Sequence, residues 1–92
     1  MNLKNVLRVK DVQEIWSVGR TKASELFNDF IIEVQRKDAK IPKECFIEIG
    51  DKLKWVNADA FYYFMLNYDN LQDLTKRASV KKFNKQELGH IL

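Results

Sequence analysis

Arg20, Thr21, Lys22 and Ser24 are the side chains whose types and spacing most directly suggest chemistry: two cations and two short hydroxyls within five consecutive residues. Gly19 can cap a helix that begins immediately after it, which places Arg20, Thr21 and Lys22 in the first turn and Ser24 one step further on. Cations at that end oppose the helix macrodipole and slightly weaken the helix. Their placement therefore needs another reason, and phosphates and base edges at the mouth of a major groove supply one. The short hydroxyls suit phosphates or bases, although they are ordinary residues in a first turn. A second candidate pair, Lys52 and Lys54, lies on an expected hairpin, where lysines also serve merely to protect strand edges.

Nothing in the chain marks catalysis. Cys45 opens an expected strand beside Phe46, where a lone cysteine behaves as a small buried hydrophobe. His90 has neither an obvious acid partner nor a nucleophile beside it. The carboxylates Asp11, Glu14, Glu25, Asp29 and Glu33 fall at helical spacings expected to be solvated, which does not make an acid/base pair without a cleft. One cysteine and one histidine exclude an internal disulfide and leave no plausible zinc set. No cofactor, metal or catalytic residue is expected.

The elements that must position the basic residues follow from apolar spacing. Val9, Val12, Ile15 and Trp16 predict a short first helix, cut off at Ser17-Val18-Gly19. Ala23, Leu26, Phe27, Phe30, Ile31 and Val34 predict a longer second helix with one continuous apolar stripe. Residues 36–44, with the only proline at Pro42, lose this period and read as a surface connection. Cys45–Ile49 and Leu53–Val56 then alternate around Gly50-Asp51-Lys52 and predict a hairpin. A three-residue loop pairs Ile49 with Leu53 and Ile47 with Trp55 on one face, and Glu48 with Lys54 on the other. This register is preferred because it alone gives one buried face.

Asn57 is a good N-cap, with Asp59 in the turn that follows, for a third helix carrying Phe61, Phe64, Met65 and Tyr68 on one stripe. Such an aromatic stripe is usually core. Tyr62 and Tyr63 are the residues expected to stay partly exposed. Leu71 and Leu74 extend or restart the helix, and Leu88, Ile91 and Leu92 suggest a further turn. Between them lies a basic segment with Lys76, Arg77, Lys81, Lys82 and Lys85.

At 92 residues the chain has room for one domain, which would bury about 60 to 65% of its unfolded surface. Its net charge of +3 biases it toward polyanions without the density of a histone-like protein. The charge alternates along the chain: residues 1–10 carry three cations and no acids, residues 55–74 only three acids, and residues 75–92 five cations against Glu87. The start lacks the apolar run of a signal peptide, and no stretch approaches the ~20 apolar residues a bilayer needs. A cytoplasmic protein without membrane contact is expected.

The order helix, turn, helix, hairpin, helix resembles the winged helix-turn-helix modules of phage and mobile-element excisionases, and more distantly the N-terminal domain of MerR-type regulators. Val9-Lys-Asp-Val, Val18-Gly-Arg-Thr-Lys-Ala and Gly50-Asp-Lys-Leu-Lys-Trp-Val-Asn-Ala-Asp-Ala-Phe carry the resemblance, which covers roughly residues 7–68. It implies that the second helix enters the major groove and that the hairpin wing touches the adjacent backbone or minor groove. Carried over by position, it implies Arg20, Thr21, Lys22 and Ser24 on the recognition helix, and Lys52 and Lys54 on the wing. Arg8, Gln13 and Ser17 depart from the family, which often has Ser or Thr, Ala, and Gly at those places.

The expected fold is thus α+β, mostly α, a winged helix-turn-helix over residues 1–70 with a basic C-terminal extension over 71–92, partly helical or poorly ordered. Double-stranded DNA is the expected partner, with DNA contacts concentrated at the start of the second helix because acids further along would repel it. A second copy of the chain and an integrase or recombinase are the other candidate partners. An excisionase-like directionality factor that binds and bends DNA is the first reading. A transcription regulator of a phage or plasmid operon, and a protein-interaction module that has kept the fold without DNA binding, are the alternatives.

Overall fold

The computed structural model describes residues 6–50 and 53–83. They form four helices and one three-stranded antiparallel sheet in the order β1 (Val6–Leu7), α1 (Val9–Trp16), α2 (Arg20–Gln35), β2 (Phe46–Ile49), β3 (Leu53–Asn57), α3 (Ala58–Leu66) and α4 (Tyr68–Gln72). The architecture is α+β and mostly helical, and no described helix is long and apolar enough to cross a membrane.

Arg8 has no side chain able to cap α1. Instead the Asp11 carboxylate reaches back and accepts from the Arg8 backbone N–H at 2.9 Å, half of the reciprocal arrangement that satisfies a helix start. At the other end Ser17 takes a left-handed conformation with φ 53°, and Val18 N–H closes onto the Gln13 carbonyl at 3.2 Å. This six-residue closure ends the helix and turns the chain. Gly19 then caps α2 as expected. Three residues therefore separate two helices, and the corner sets the exposed start of α2 beside α1.

Ala23, Leu26, Phe27, Phe30 and Val34 of α2 are buried along one stripe. They meet the aromatic stripe of α3, where Phe30 lies 5.4 Å from Phe61 and 5.5 Å, nearly perpendicular, from Phe64 between ring centroids. Edge-to-face contacts of this kind add roughly 0.5–1.5 kcal/mol each beyond area burial. The Asn57 side chain caps α3 by accepting from Ala60 N–H at 2.9 Å. The helix stops at Asn67, whose side-chain amide donates to the Tyr63 carbonyl at 3.0 Å, and the chain restarts as α4.

The hairpin has the expected register, Ile49 with Leu53, Glu48 with Lys54 and Ile47 with Trp55. Gly50, at φ +64°, begins the loop in the region that only glycine adopts without strain. The buried face is the opposite of the expected one. Val56 is buried, flanked by Phe46 on β2 and by Leu7 on β1, whereas Ile47 and Leu53 remain 41% and 40% exposed. Counting apolar residues favours the Ile47–Trp55 side. Position decides otherwise, because β3 runs straight into α3 and Leu7 adds a third apolar residue beside Val56.

The described part of the expected extension, residues 71–83, packs onto the core. Leu71, Arg77, Val80 and Phe83 are buried, and residues 73–83 form a strap across the ends of α2 and α3. The Arg77 guanidinium forks onto the Glu33 carboxylate at 2.6 and 3.0 Å and donates to the Leu71 and Asp38 carbonyls at 2.9 and 3.1 Å. Glu33, 3% exposed, also accepts from Lys40 N–H at 2.8 Å. Among the described residues no buried side-chain nitrogen or oxygen lacks a partner, as buried charge requires. Glu33 and Asp11 are thus not on solvated faces, and Arg77 is not free to meet phosphate. Lys85, His90, Leu88, Ile91 and Leu92 lie outside the described residues.

Candidate nucleic-acid interface

The exposed start of α2 borders two shallow hollows. The first, about 520 Å³, lies between α1 and α2 and is lined by Lys10, Gln13, Glu14, Arg20 and Ser24 over Val9. The second, about 410 Å³, lies between α2 and the β2–β3 hairpin and is lined by Arg8, Lys10, Ser24, Asn28, Leu53 and Lys54, with Val9 and Phe27 beneath. They share Val9, Lys10 and Ser24, so they form one continuous trough. Four cations, Arg8, Lys10, Arg20 and Lys54, and one carboxylate, Glu14, line it with the polar side chains of Gln13, Ser24 and Asn28.

Of the residues expected from sequence, Arg20, Ser24 and Lys54 are brought together here. Thr21 is exposed but lines neither hollow. Lys22 lies on the other flank of α2, about 200° around the helix from Arg20 at ~100° per residue, 3.8 Å from Glu25. Lys52 falls outside the described residues. Lys54 lies 3.8 Å from Glu48 with both side chains about half exposed, a pairing too solvated to hold it from other partners.

Sequence reasoning missed Arg8, Lys10, Gln13 and Asn28. The first two were visible only as part of a basic stretch that runs into the start of α1. It took the pairing of β1 with β3 to carry that stretch alongside the β2–β3 hairpin. Asn28 had a legible signal, since Arg20, Ser24 and Asn28 recur every four residues and must share one row of the helix.

The acids of α2 occupy the neighbouring row, Glu25, Asp29 and Glu33, and each has a partner away from the trough. Glu25 pairs with Lys22, Asp29 accepts from the Tyr68 hydroxyl at 2.6 Å, and Glu33 holds Arg77. The Asp29 carboxylate, with help from desolvation, pushes the Tyr68 hydroxyl up to about 12. The trough-facing row of α2 thus carries no acid as far as Asn28.

On the opposite flank, Trp16, Val18, Leu26, Met65, Leu66 and Tyr68 line a third hollow of about 520 Å³ that Lys22 overlooks. Tyr62 packs against Trp16 with ring centroids 5.3 Å apart and planes tilted by 50° and stays 43% exposed. Tyr63 stays partly exposed, as expected, and packs on Phe83 at 5.6 Å while donating its hydroxyl to the Lys81 carbonyl, pinning the strap. Among the described residues no group of three or more His, Cys, Asp or Glu could hold a metal ion. No protein-family model, curated protein or solved structure matches the chain, so the site rests on its own geometry.

Proposed function

We propose that this chain is a winged helix-turn-helix protein that binds duplex DNA through the trough between α1, α2 and the β2–β3 wing. The observation that carries the reading is the convergence of Arg8, Lys10, Arg20 and Lys54 around Gln13, Ser24 and Asn28. A ring of cations around exposed amides and a hydroxyl suits a phosphate backbone flanking base edges. Arg20, Ser24 and Asn28 form the row laid toward the groove, with Arg20 meeting a phosphate at its mouth, and Arg8, Lys10 and Lys54 neutralise phosphates on either side. Thr21 remains a candidate phosphate contact at the edge, Lys52 remains a candidate from the sequence alone, and Lys22 drops out of the site.

A single module offers few base contacts, so useful affinity requires dimers or neighbouring sites filled cooperatively. Within this class an excisionase-like factor that bends DNA beside an integrase is the first choice, and an operon regulator the second. Bending of a phased pair of sites, read by circular permutation, favours the former; promoter occupancy without a bend favours the latter.

The test of DNA binding is fluorescence anisotropy with a mixed pool of short duplexes over a salt series. Binding with a negative log-log salt slope is expected, and absence of binding at low salt rejects the reading. One observation favours a second reading, a protein-interaction module: the apolar flank of Trp16, Tyr62 and Leu66, the last 67% exposed. Under that reading Tyr62→Ala abolishes partner binding and charge reversal at Arg20 leaves activity intact.

A further inference from the structure

The sheet ends on β2, and we infer that this edge pairs with the β2 edge of a second copy of the chain, antiparallel and centred on Ile47, to form one six-stranded sheet. Among the described residues β2 pairs only with β3, in the order β1-β3-β2, so its outer edge meets no strand. Phe46–Ile49 contains no proline and no lysine, and its pairing with β3 is unbroken from Phe46 to Ile49. Of the devices that usually blunt an edge, β2 has its shortness and one charge, Glu48, but no proline, no lysine and no bulge. Beside this edge the solvent side of the sheet carries Ile47 at 41% and Leu53 at 40% exposure, with half-buried Trp55 between them in the pleat.

Charge selects both the occupant and the register. A two-fold axis normal to the sheet must pass through a residue paired with itself, and only Ile47 or Glu48 as that residue engages three of the four positions of β2. Centring on Glu48 sets two carboxylates directly opposite each other, which is destabilising. Centring on Ile47 sets Phe46 against Glu48 of the second copy and Glu44 against its Gly50, with no like charges opposed. The out-of-register alternative, Ile47 against Glu48, turns one sheet over and breaks the apolar face. In the Ile47 register the Ile47, Leu53 and Trp55 faces of the two copies join, and both helical layers lie on the same side of the sheet. The two basic troughs then form a bivalent pair, which is what a module with few base contacts needs.

A strand edge of this length buries less than the roughly 1,200 Å² of a standard stable interface, so the dimer dissociates on dilution and forms toward millimolar concentration or on a shared ligand. The test uses the full chain without DNA, so its outcome is independent of the DNA reading. Self-paired residues in an antiparallel ladder lie about 4.5–5.5 Å apart between Cα atoms, within the roughly 4.4–6.8 Å that a disulfide spans. Ile47→Cys is therefore expected to form an intermolecular disulfide under mild oxidant at least tenfold faster than Leu74→Cys, at a site 75% exposed on another surface. Sedimentation equilibrium of the wild type is expected to rise toward dimer mass with concentration, and Ile47→Lys to remain a monomer with unchanged circular dichroism. Equal cross-linking rates at the two cysteines, or a wild type that stays monomeric to about 1 mM, overturns the inference.

Discussion

Replacing Arg20 and Lys22 one at a time separates a trough-bound cation from one that merely belongs to the same helix turn. Each phosphate neutralised contributes about −0.9 to the slope of log affinity against log salt. The trough offers Arg8, Lys10, Arg20 and Lys54, so the wild-type slope should be about −3.6, a fall of roughly 150-fold between about 50 and 200 mM salt. Arg20→Ala should reduce the slope to about −2.7, a fall of roughly 40-fold over the same interval. Lys22→Ala should leave it at the wild-type value, because that ammonium faces the other flank beside Glu25. The assay is anisotropy of a labelled duplex at five or more salt concentrations with each single variant. Loss of a full unit by Lys22→Ala, or an unchanged slope in Arg20→Ala, refutes the assignment of the trough.

Four predictions concern the scaffold. Arg77→Ala leaves the Glu33 carboxylate buried without its fork, and urea unfolding should show a loss of about 3–5 kcal/mol; Glu33→Ala added to it should cost much less than the sum of the two single changes. Tyr68→Phe removes the bond to Asp29 and should cost about 1 kcal/mol. Because the Tyr68 pKa is raised from 10.0 to about 12 on folding, its contribution to stability is complete below pH 10.0 and fades as pH rises through about 12. Asp38 works in the opposite sense: the Arg36 side chain foremost, with Arg77, holds its carboxyl at about 2 instead of 3.8, so its contribution is complete above that ordinary value and is lost as pH falls through about 2. Thermal unfolding followed across both pH windows, with Tyr68→Phe and Asp38→Asn as references, checks each sign. Ser17→Gly relieves a left-handed residue with a side chain at φ 53° and should add about 0.5–1 kcal/mol, read as a shift of the urea midpoint.

Local rules were legible wherever one residue or one period decides. The stripe from Ala23 to Val34, the Gly19 and Asn57 caps and the stop after Trp16 all follow from spacing and side-chain type. So does the hairpin register, because only this pairing puts Ile47, Ile49, Leu53 and Trp55 on one face, although that face is not the buried one. What the sequence concealed depends on residues far apart. Glu33 and Arg77 are 44 positions apart, and an isolated Glu on a helix looks solvated until its partner is known. Val6–Leu7 is too short to announce a strand, yet its pairing with Val56 and Asn57 decides which hairpin face is buried and brings Arg8 and Lys10 to that hairpin. The side of α2 that Lys22 occupies was available from helical angle alone; grouping it with Arg20 by adjacency obscured this.

The most direct test of the central claim is a titration of the ¹⁵N-labelled protein with a short duplex, following backbone amide shifts residue by residue. Shifts confined to Arg8–Gln13, Arg20–Asn28 and Leu53–Lys54, with Trp16, Tyr62 and Leu66 unmoved, are the predicted result. No shifts at low salt, or shifts confined to the Trp16–Leu66 flank, would contradict the trough as a DNA-binding surface.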